Sequence, residues 1–232
     1  MPTKIIVSYD GTANEDDAIA LGGVFARAGA EVALAYVRHT HELDRERETL
    51  VEAEAHELLS RGAELLGDPD AATFVVTDRS TPEGLAALAH AEGAEMIVFC
   101  SDSHTAKGHV AIGNSAQRLI EGGTTAVAIA PVDLAERDPR KAIEKVVAVS
   151  DGDGGARETA QSLASALGAQ LAPVANEAAD LLVIDSRAEA EPGHVAISAS
   201  AAYLIDVARC PVLVLPRARA LEFGSSHAAS AA

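Results

Sequence analysis

The pentapeptide Gly-His-Val-Ala-Ile occurs at residues 108–112 and again at residues 193–197. The match extends to both sides. Residues 94–131 align with residues 179–216 at a constant offset of 85 without a gap, and 14 of these 38 positions are identical. Self-similarity at a fixed offset, with apolar spacing preserved around it, is typical of an internal repeat. The chain is therefore predicted to contain two copies of one unit.

The two copies differ in length. The first begins Lys4-Ile5-Ile6-Val7 and the second Lys145-Val146-Val147-Ala148, and each start is followed by Asp-Gly, at 10–11 and at 151–152. The second copy is about 56 residues shorter than the first between this start and the region of constant offset. The predicted organisation is a complete domain over 1–131, a linker over 132–144, a truncated domain over 145–217 and a disordered tail over 218–232.

Apolar runs alternate with amphipathic segments in the first copy. Strands are predicted at 5–9, 31–37, 73–77, 96–100 and 125–130, separated by four helices. Because the strands are apolar throughout, the alternation predicts an α/β fold with a doubly wound, five-stranded parallel sheet of the Rossmann-like type. The second copy keeps strands near 146–150, 169–174, 181–185 and 211–215, with helices near 156–167 and 199–208, and is a reduced version of the same unit.

Ligands of doubly wound sheets bind beyond the carboxyl ends of the strands. A glycine before a helix N-terminus, as at the last helix of the first copy, favours an anion there. These positions predict a nucleotide, with phosphates on the amides of 113–115. The residues placed at this edge are Asp10, Gly11, Thr12, Val37, Cys100, Ser101, Ser103, Gly113, Asn114 and Ser115.

A purely structural interpretation of the same residues stays open. Asp10-Gly11 has the composition of a turn, and Gly113 that of a tight loop. Thr12 and Glu15 have the spacing of a capping box, which predicts Thr12 as the N-cap of the first helix.

The formal net charge is −17, from 35 acidic and 18 basic residues. Such a surface repels phosphate backbones, so neither nucleic acid nor an anionic membrane is expected as a partner. No targeting segment is predicted, and no apolar run is long enough for a spanning helix. The two cysteines, Cys100 and Cys210, lie inside apolar stretches, which favours buried thiols in a reducing compartment. We therefore expect a cytoplasmic protein.

Other polar groups are interpreted structurally. The pair His39 and His41, with Glu42 and Asp44 close by, enters a charged helix and is expected to be solvated, so no metal site is predicted. His109 and His194 recur in both copies beside apolar residues and are expected to pack or cap. The sequence contains no G-x-S-x-G elbow, P-loop, C-x-x-C pair or G-x-G-x-x-G fingerprint.

Three segments together resemble the universal stress protein family. Val7-Ser8-Tyr9-Asp10-Gly11-Thr12 matches V-x-x-D-G-[ST]. Residues 113–131 match that family's last helix and strand, including Val127, Ile129 and Pro131. The second copy ends Cys210-Pro211-Val212-Leu213-Val214-Leu215-Pro216, which is similar to C-P-V-L-V-V-P. The resemblance covers 4–131 as a whole domain and 145–217 in truncated form.

The resemblance implies a non-catalytic stress-response or regulatory protein. Family members commonly pair through their last strands, here 125–130 and 211–215, so the two copies are expected to form an intramolecular pseudo-dimer. A further homo-oligomer is compatible with this arrangement. An enzyme on the related electron-transfer-flavoprotein or adenylate-transferring folds is a third interpretation, which the missing signature loops disfavour.

The resemblance also implies an alternative, an adenine-nucleotide site for ATP or AMP with Mg²⁺ and at most slow ATP hydrolysis. ATP-binding members carry G-x2-G-x9-G-[ST]. The matching positions hold Cys100, Ser103, Gly113 and Asn114 in the first copy, and Asp185, Ala188, Ser198 and Ala199 in the second. Any nucleotide site is therefore expected in the first copy.

Overall fold

The computed structural model describes residues 1–12, 14–39, 45–137, 143–150, 153–173 and 179–224. Over these ranges the chain forms nine strands and six helices. The elements are β1 Lys4–Ser8, α1 Glu15–Arg27, β2 Glu31–Arg38, α2 Arg45–Leu66, β3 Thr73–Thr77, α3 Thr81–Glu92, β4 Met96–Cys100, α4 Asn114–Ile120, β5 Ala126–Ala130, β6 Lys145–Val149, α5 Gly155–Leu167, β7 Gln170–Ala172, β8 Leu181–Ile184, α6 Ala199–Val207 and β9 Val212–Val214.

All nine strands belong to one sheet, in the order β3-β2-β1-β4-β5-β9-β8-β6-β7. The first five strands are parallel, and their order reverses at β1 as in doubly wound folds. The predicted α/β class with a doubly wound parallel sheet is confirmed.

Two layers of helices cover the sheet. Side chains of α1, α2 and α5 pack on one face, and side chains of α3, α4 and α6 on the other. The side chains of strand β4 contact both helix layers: Met96 and Val98 face the first layer, whereas Ile97 and Phe99 face the second. Because successive side chains of a strand point to opposite faces, a strand apolar at every position has to be buried on both. No helix in the described parts of the chain has the length and apolar composition needed to cross a bilayer.

The two halves of the sheet meet at β5 and β9, which pair antiparallel. Ala128 lies opposite Leu213, its own counterpart at the offset of 85, and Val127 lies opposite Val214, the counterpart of Ile129. A second pair of contacts is exchanged between the two halves in the same way. The amide of Val110 donates to the carbonyl of Ala208 (3.2 Å), and the amide of Val195, counterpart of Val110, donates to that of Gly123 (2.7 Å). The two halves are therefore related by a local pseudo-two-fold axis.

The second half contains counterparts of β1, α1, β2, β4, α4 and β5, and nothing equivalent to α2, β3 and α3 among its described residues. Strands β7 and β8 follow one another in the chain and lie on either side of β6. Residues 174–178 between them lie outside the described residues. In the linker predicted over 132–144, Val132 is buried, and two further residues are held by α1, where Asp17 accepts hydrogen bonds from the amides of Asp133 (2.9 Å) and Ala135 (2.7 Å).

Disorder was predicted from residue 218 onward, and this does not hold for 218–224. Here residues 217–224, the C-terminal strap, run along α5. The amide of Leu221 donates to Thr159 Oγ1 (2.8 Å), and the amide of Phe223 donates to Ser162 Oγ (2.7 Å). The Phe223 ring stacks on Phe25 of α1 at 5.8 Å between ring centroids. Two buried apolar side chains, Leu221 and Phe223, order a segment whose small and polar residues suggested otherwise. Residues 225–232 lie outside the described residues.

Because the strap belongs to the second half and Phe25 to the first, we expect Phe223→Ala to destabilise the whole fold. Loss of a buried aromatic ring and its stacking should lower the free energy of unfolding by about 3 kcal/mol in urea titrations. The exposed neighbour provides the control: Glu222→Ala should change it by less than about 0.5 kcal/mol. Equal stability of the two variants would show that the strap contributes nothing.

Candidate functional site

The loop after β1 is built around Gly11. This residue has φ of 76°, a backbone conformation that favours glycine, and a Cβ atom here would lie 2.6 Å from the Leu58 Cδ1 methyl on α2, which would have to shift. Asp10 is exposed, and its Oδ1 accepts a hydrogen bond from the amide of Thr12 (3.0 Å). The loop is therefore an Asx turn that leaves the Asp10 side chain at the carboxyl edge of the sheet.

The capping-box prediction is wrong, because Thr12 does not cap α1. The helix begins at Glu15, and its N-cap is Asn14, whose φ of 72° is left-handed and whose side chain makes no cap hydrogen bond. The Glu15 side chain instead reaches back to the loop. Its Oε2 accepts hydrogen bonds from the amides of Gly11 (2.8 Å) and Asp10. The spacing of Thr12 and Glu15 is compatible with a threonine cap and also with a glutamate that turns back to the loop. Here the turn of the chain at Gly11 brings the amides of Asp10 and Gly11 within reach of the Glu15 side chain.

Glu15 is an almost fully buried carboxyl group. Burial, reinforced by the negative charge of Asp10, raises its pKa to about 8, although the two amide hydrogen bonds act in the opposite direction. The sequence analysis did not predict that Glu15 binds the loop amides at this edge. The sequence feature that could have indicated it is an acidic residue four positions after Gly11.

The loop after β4 is fixed by Ser101. Its hydroxyl donates to the carbonyl of Ala130 (2.6 Å) and accepts from the amide of Ala111 (3.1 Å). Cys100 is half-buried, and burial raises the pKa of its thiol to about 12, so the thiol is neutral and unreactive. Ser103 is exposed. Ser101 thus holds the loop through its hydroxyl, whereas the Cys100 thiol is half-buried rather than fully buried as predicted.

Gly113 and Asn114 begin α4 at the same edge. Gly113 is the N-cap residue, has extended backbone, and has no heavy atom within 4 Å of where a side chain would start. Asn114 is exposed and Ser115 half-buried. The loops of β1 and β4 are in contact here, since Asn14 Nδ2 lies 3.5 Å from the carbonyl oxygen of Asp102. Val37 is different: its side chain is buried in the core under α3, so it offers the edge only its backbone.

The corresponding edge of the second half is filled by the chain itself. Asp185, at the position of Cys100, is buried and accepts hydrogen bonds from the amide of Ala156 (2.6 Å) and from Ser150 Oγ (2.8 Å). The carbonyl of Arg219 in the strap lies where a side chain on Gly155 would have to go. Asp151 and Gly152, the counterparts of Asp10 and Gly11, lie outside the described residues.

Some residues at the carboxyl edge of the first half suit a nucleotide, and others oppose its phosphates. The open surroundings of Gly113 suit a phosphate group. The carboxylate of Asp10 suits ribose hydroxyls, which donate hydrogen bonds, and opposes phosphate. Among the described residues, no group of three or more potential ligands that could hold a metal ion occurs. His39 lies 3.4 Å from Thr81 Oγ1, and His41, Glu42 and Asp44 lie outside the described residues.

A five-stranded parallel sheet whose order reverses at β1, with the β1 and β4 loops meeting at the carboxyl edge, defines a Rossmann-like α/β protein. Residues 1–131 match the model of the universal stress protein family. The chain belongs to this family.

Solved structures share the fold across both halves. A universal stress protein from Archaeoglobus fulgidus DSM 4304 is 13% identical with a TM-score of 0.66, covering 92% of this chain and 98% of that one. A putative universal stress protein from Pseudomonas aeruginosa UCBPP-PA14 is 15% identical with a TM-score of 0.59, covering 92% and 93%. No curated protein matches the chain.

Glu15 should make stability depend on pH. Its folded pKa of about 8 lies above the usual 4.5, so between these values the folded state holds more protons than the unfolded state, and stability falls as pH rises. Glu15→Gln removes the charge and keeps an acceptor for the loop amides. At pH 8 we expect this variant to gain at least about 1 kcal/mol over the parent, or about 2–4 °C in melting temperature.

Calorimetry at pH 5 and pH 8 measures this difference. At pH 5 the advantage of the variant should largely disappear, because Glu15 is then protonated in the folded parent. A parent whose melting temperature exceeds that of the variant equally at both pH values would show that Glu15 is an ordinary ionised carboxylate.

Proposed function

We propose that this member of the family is a non-catalytic stress-response or regulatory protein of the cytoplasm, whose halves form an intramolecular pseudo-dimer. The supporting observation is the exchanged pairing of β5 with β9 around Ala128 and Leu213. In an isologous interface, residue i of one copy contacts residue j of the other, and j contacts i. The hydrogen bonds of Val110 and Val195 obey the same rule.

The composition of β5 supports the same proposal. All five residues of this strand, Ala126–Ala130, are buried. Without β9 the strand would be an uncharged apolar edge with unpaired amides and carbonyls, which invites association. The second half covers it permanently within one chain.

A non-catalytic role is supported by the state of the polar groups at the carboxyl edge. The Ser101 hydroxyl is engaged in two structural hydrogen bonds, the Cys100 thiol is neutral, and Glu15 is held by the loop amides. A nucleophile needs an adjacent base and an accessible position. The side chains of Ser101 and Glu15 serve instead to hold the loops.

The fragment 1–135 should therefore associate. Light scattering at micromolar concentration is expected to show a dimer or larger species through the uncovered β5, whereas the full chain stays monomeric or forms a discrete oligomer. A fragment that is folded and monomeric would contradict the pseudo-dimer.

A second candidate is adenine-nucleotide binding by the first half. The observation that favours it is the contact between the β1 and β4 loops at the carboxyl edge, where doubly wound sheets bind ligands, together with the open surroundings of Gly113 at the start of α4. Asp10 is an exposed side chain of the β1 loop and, in this proposal, would bind the ribose.

Asp10→Ala should weaken ATP binding about tenfold, which corresponds to about 1.4 kcal/mol in calorimetric titrations. Asp151→Ala, the matching change in the second half, should leave the affinity unchanged. Mass spectrometry of the undenatured protein should also show co-purified ATP or AMP. A protein that carries no nucleotide and shows no titration heat with millimolar ATP and magnesium excludes this candidate.

A further inference from the structure

Strand β3 is an exposed edge of the nine-stranded sheet without the usual protection. Among the described residues, β2 is the only strand paired with it. Its sequence, Thr73-Phe74-Val75-Val76-Thr77, contains no charge and no proline, and all five residues are partly exposed. Natural sheets usually protect such edges with charges, prolines, bulges or very short strands. The opposite edge follows that rule, since β7 has three residues and is followed by Pro173.

The hydrogen bonds to β2 show which backbone groups of β3 are directed outward. The carbonyl of Ala72 accepts from Leu34, and the amide of Asp78 donates to Arg38, both at 2.9 Å. Backbone groups alternate in direction along a strand, so residues 72, 74, 76 and 78 bond to β2. Thr73, Val75 and Thr77 therefore present their amides and carbonyls to the free side of the sheet.

The strand is also complementary to its own reverse. Read backwards, Thr-Phe-Val-Val-Thr becomes Thr-Val-Val-Phe-Thr, so an antiparallel pairing centred on Val75 places Thr73 opposite Thr77, Phe74 opposite Val76 and Val75 opposite itself. Threonine pairs and aromatic–β-branched pairs are favourable cross-strand neighbours. The centre fits the backbone as well, because Val75 and the two threonines are the residues with outward groups, and each opposed pair exchanges two hydrogen bonds.

We propose that β3 is a self-association surface, on which a second copy of this chain pairs antiparallel about Val75 and extends the sheet across two molecules. Repulsion between two chains that each carry −17 opposes this pairing and adds to its weakness.

The pairing involves short strands and little surface beyond them, so the dimer is expected to be weak and concentration-dependent. A dissociation constant on the order of 10 μM suits an interface at the small end of specific protein contacts. This surface is separate from the internal β5–β9 joint. Association of the 1–135 fragment through β5 should therefore persist when β3 is altered, and the two proposals fail independently.

The test uses charge at the two-fold axis, in the full-length chain. Val75→Lys and Val75→Glu each place like charges directly opposite one another, so each variant should sediment as a monomer at 100 μM, on the order of ten times the expected dissociation constant, where the parent is mostly dimeric. Mixed in equal amounts, the two variants should form a heterodimer, because a lysine on one chain then opposes a glutamate on the other. Leu50→Lys, an exposed apolar-to-lysine change on α2, is the matched control and should stay dimeric.

A second variant keeps the test valid if the Val75 variants fail to fold. Thr73→Pro removes one outward amide at the first residue of the edge strand, leaves every β2 hydrogen bond in place, and should also be monomeric. Circular dichroism establishes that each variant is folded. The proposal is overturned by a parent that is monomeric at 100 μM, by a dimer that survives both Val75→Lys and Thr73→Pro, or by a folded Val75→Lys and Val75→Glu mixture that stays monomeric.

Discussion

The antiparallel pairing of β5 with β9 determines the rest of the architecture. A parallel sheet ends in a strand whose outer backbone groups are unpaired, and β5 is in addition apolar on both faces. Two copies related by a two-fold axis can cover this edge only by meeting antiparallel, as Ala128 and Leu213 do. Once both copies belong to one chain, the edge is covered at any protein concentration, since pairing is intramolecular.

This constraint also accounts for most elements of the second half. To cover β5 it needs β9, the strands β8 and β6 that support β9, and one helix on each face, α5 and α6, whereas β7 lies beyond β6 at the outer edge. In the first half, β3 is the strand farthest from β5 in the sheet, and α2 and α3 are the helices that connect it to β2 and β4. A second half without their counterparts still forms the pairing, and the strap adds contacts of its own through Phe223 on Phe25.

Sequence reasoning predicted the elements because each depends on local periodicity, and the repeat supplied a second set of the same signals. It did not predict the Glu15 contact, because the spacing of Thr12 and Glu15 is the same whether the threonine caps the helix or the glutamate turns back. The close approach of Leu58 to Gly11 belongs to tertiary packing. The strap was missed for another reason: small residues dominate the average composition of 218–232, and Leu221 and Phe223 act as individual side chains.

At the carboxyl edge of each half, backbone amides donate hydrogen bonds to an acidic side chain of the same half, and the two arrangements differ. Asp185 is fixed by a helix amide and a serine hydroxyl, so it replaces an external anion at the start of α5. Glu15 holds loop amides before α1, and its raised pKa means that its charge is costly there. An anionic group approaching the β1 loop meets the carboxylate of Asp10, and it can reach the loop amides only by displacing the neutral Glu15 side chain. The charge of Asp10 therefore disfavours anions at this part of the edge.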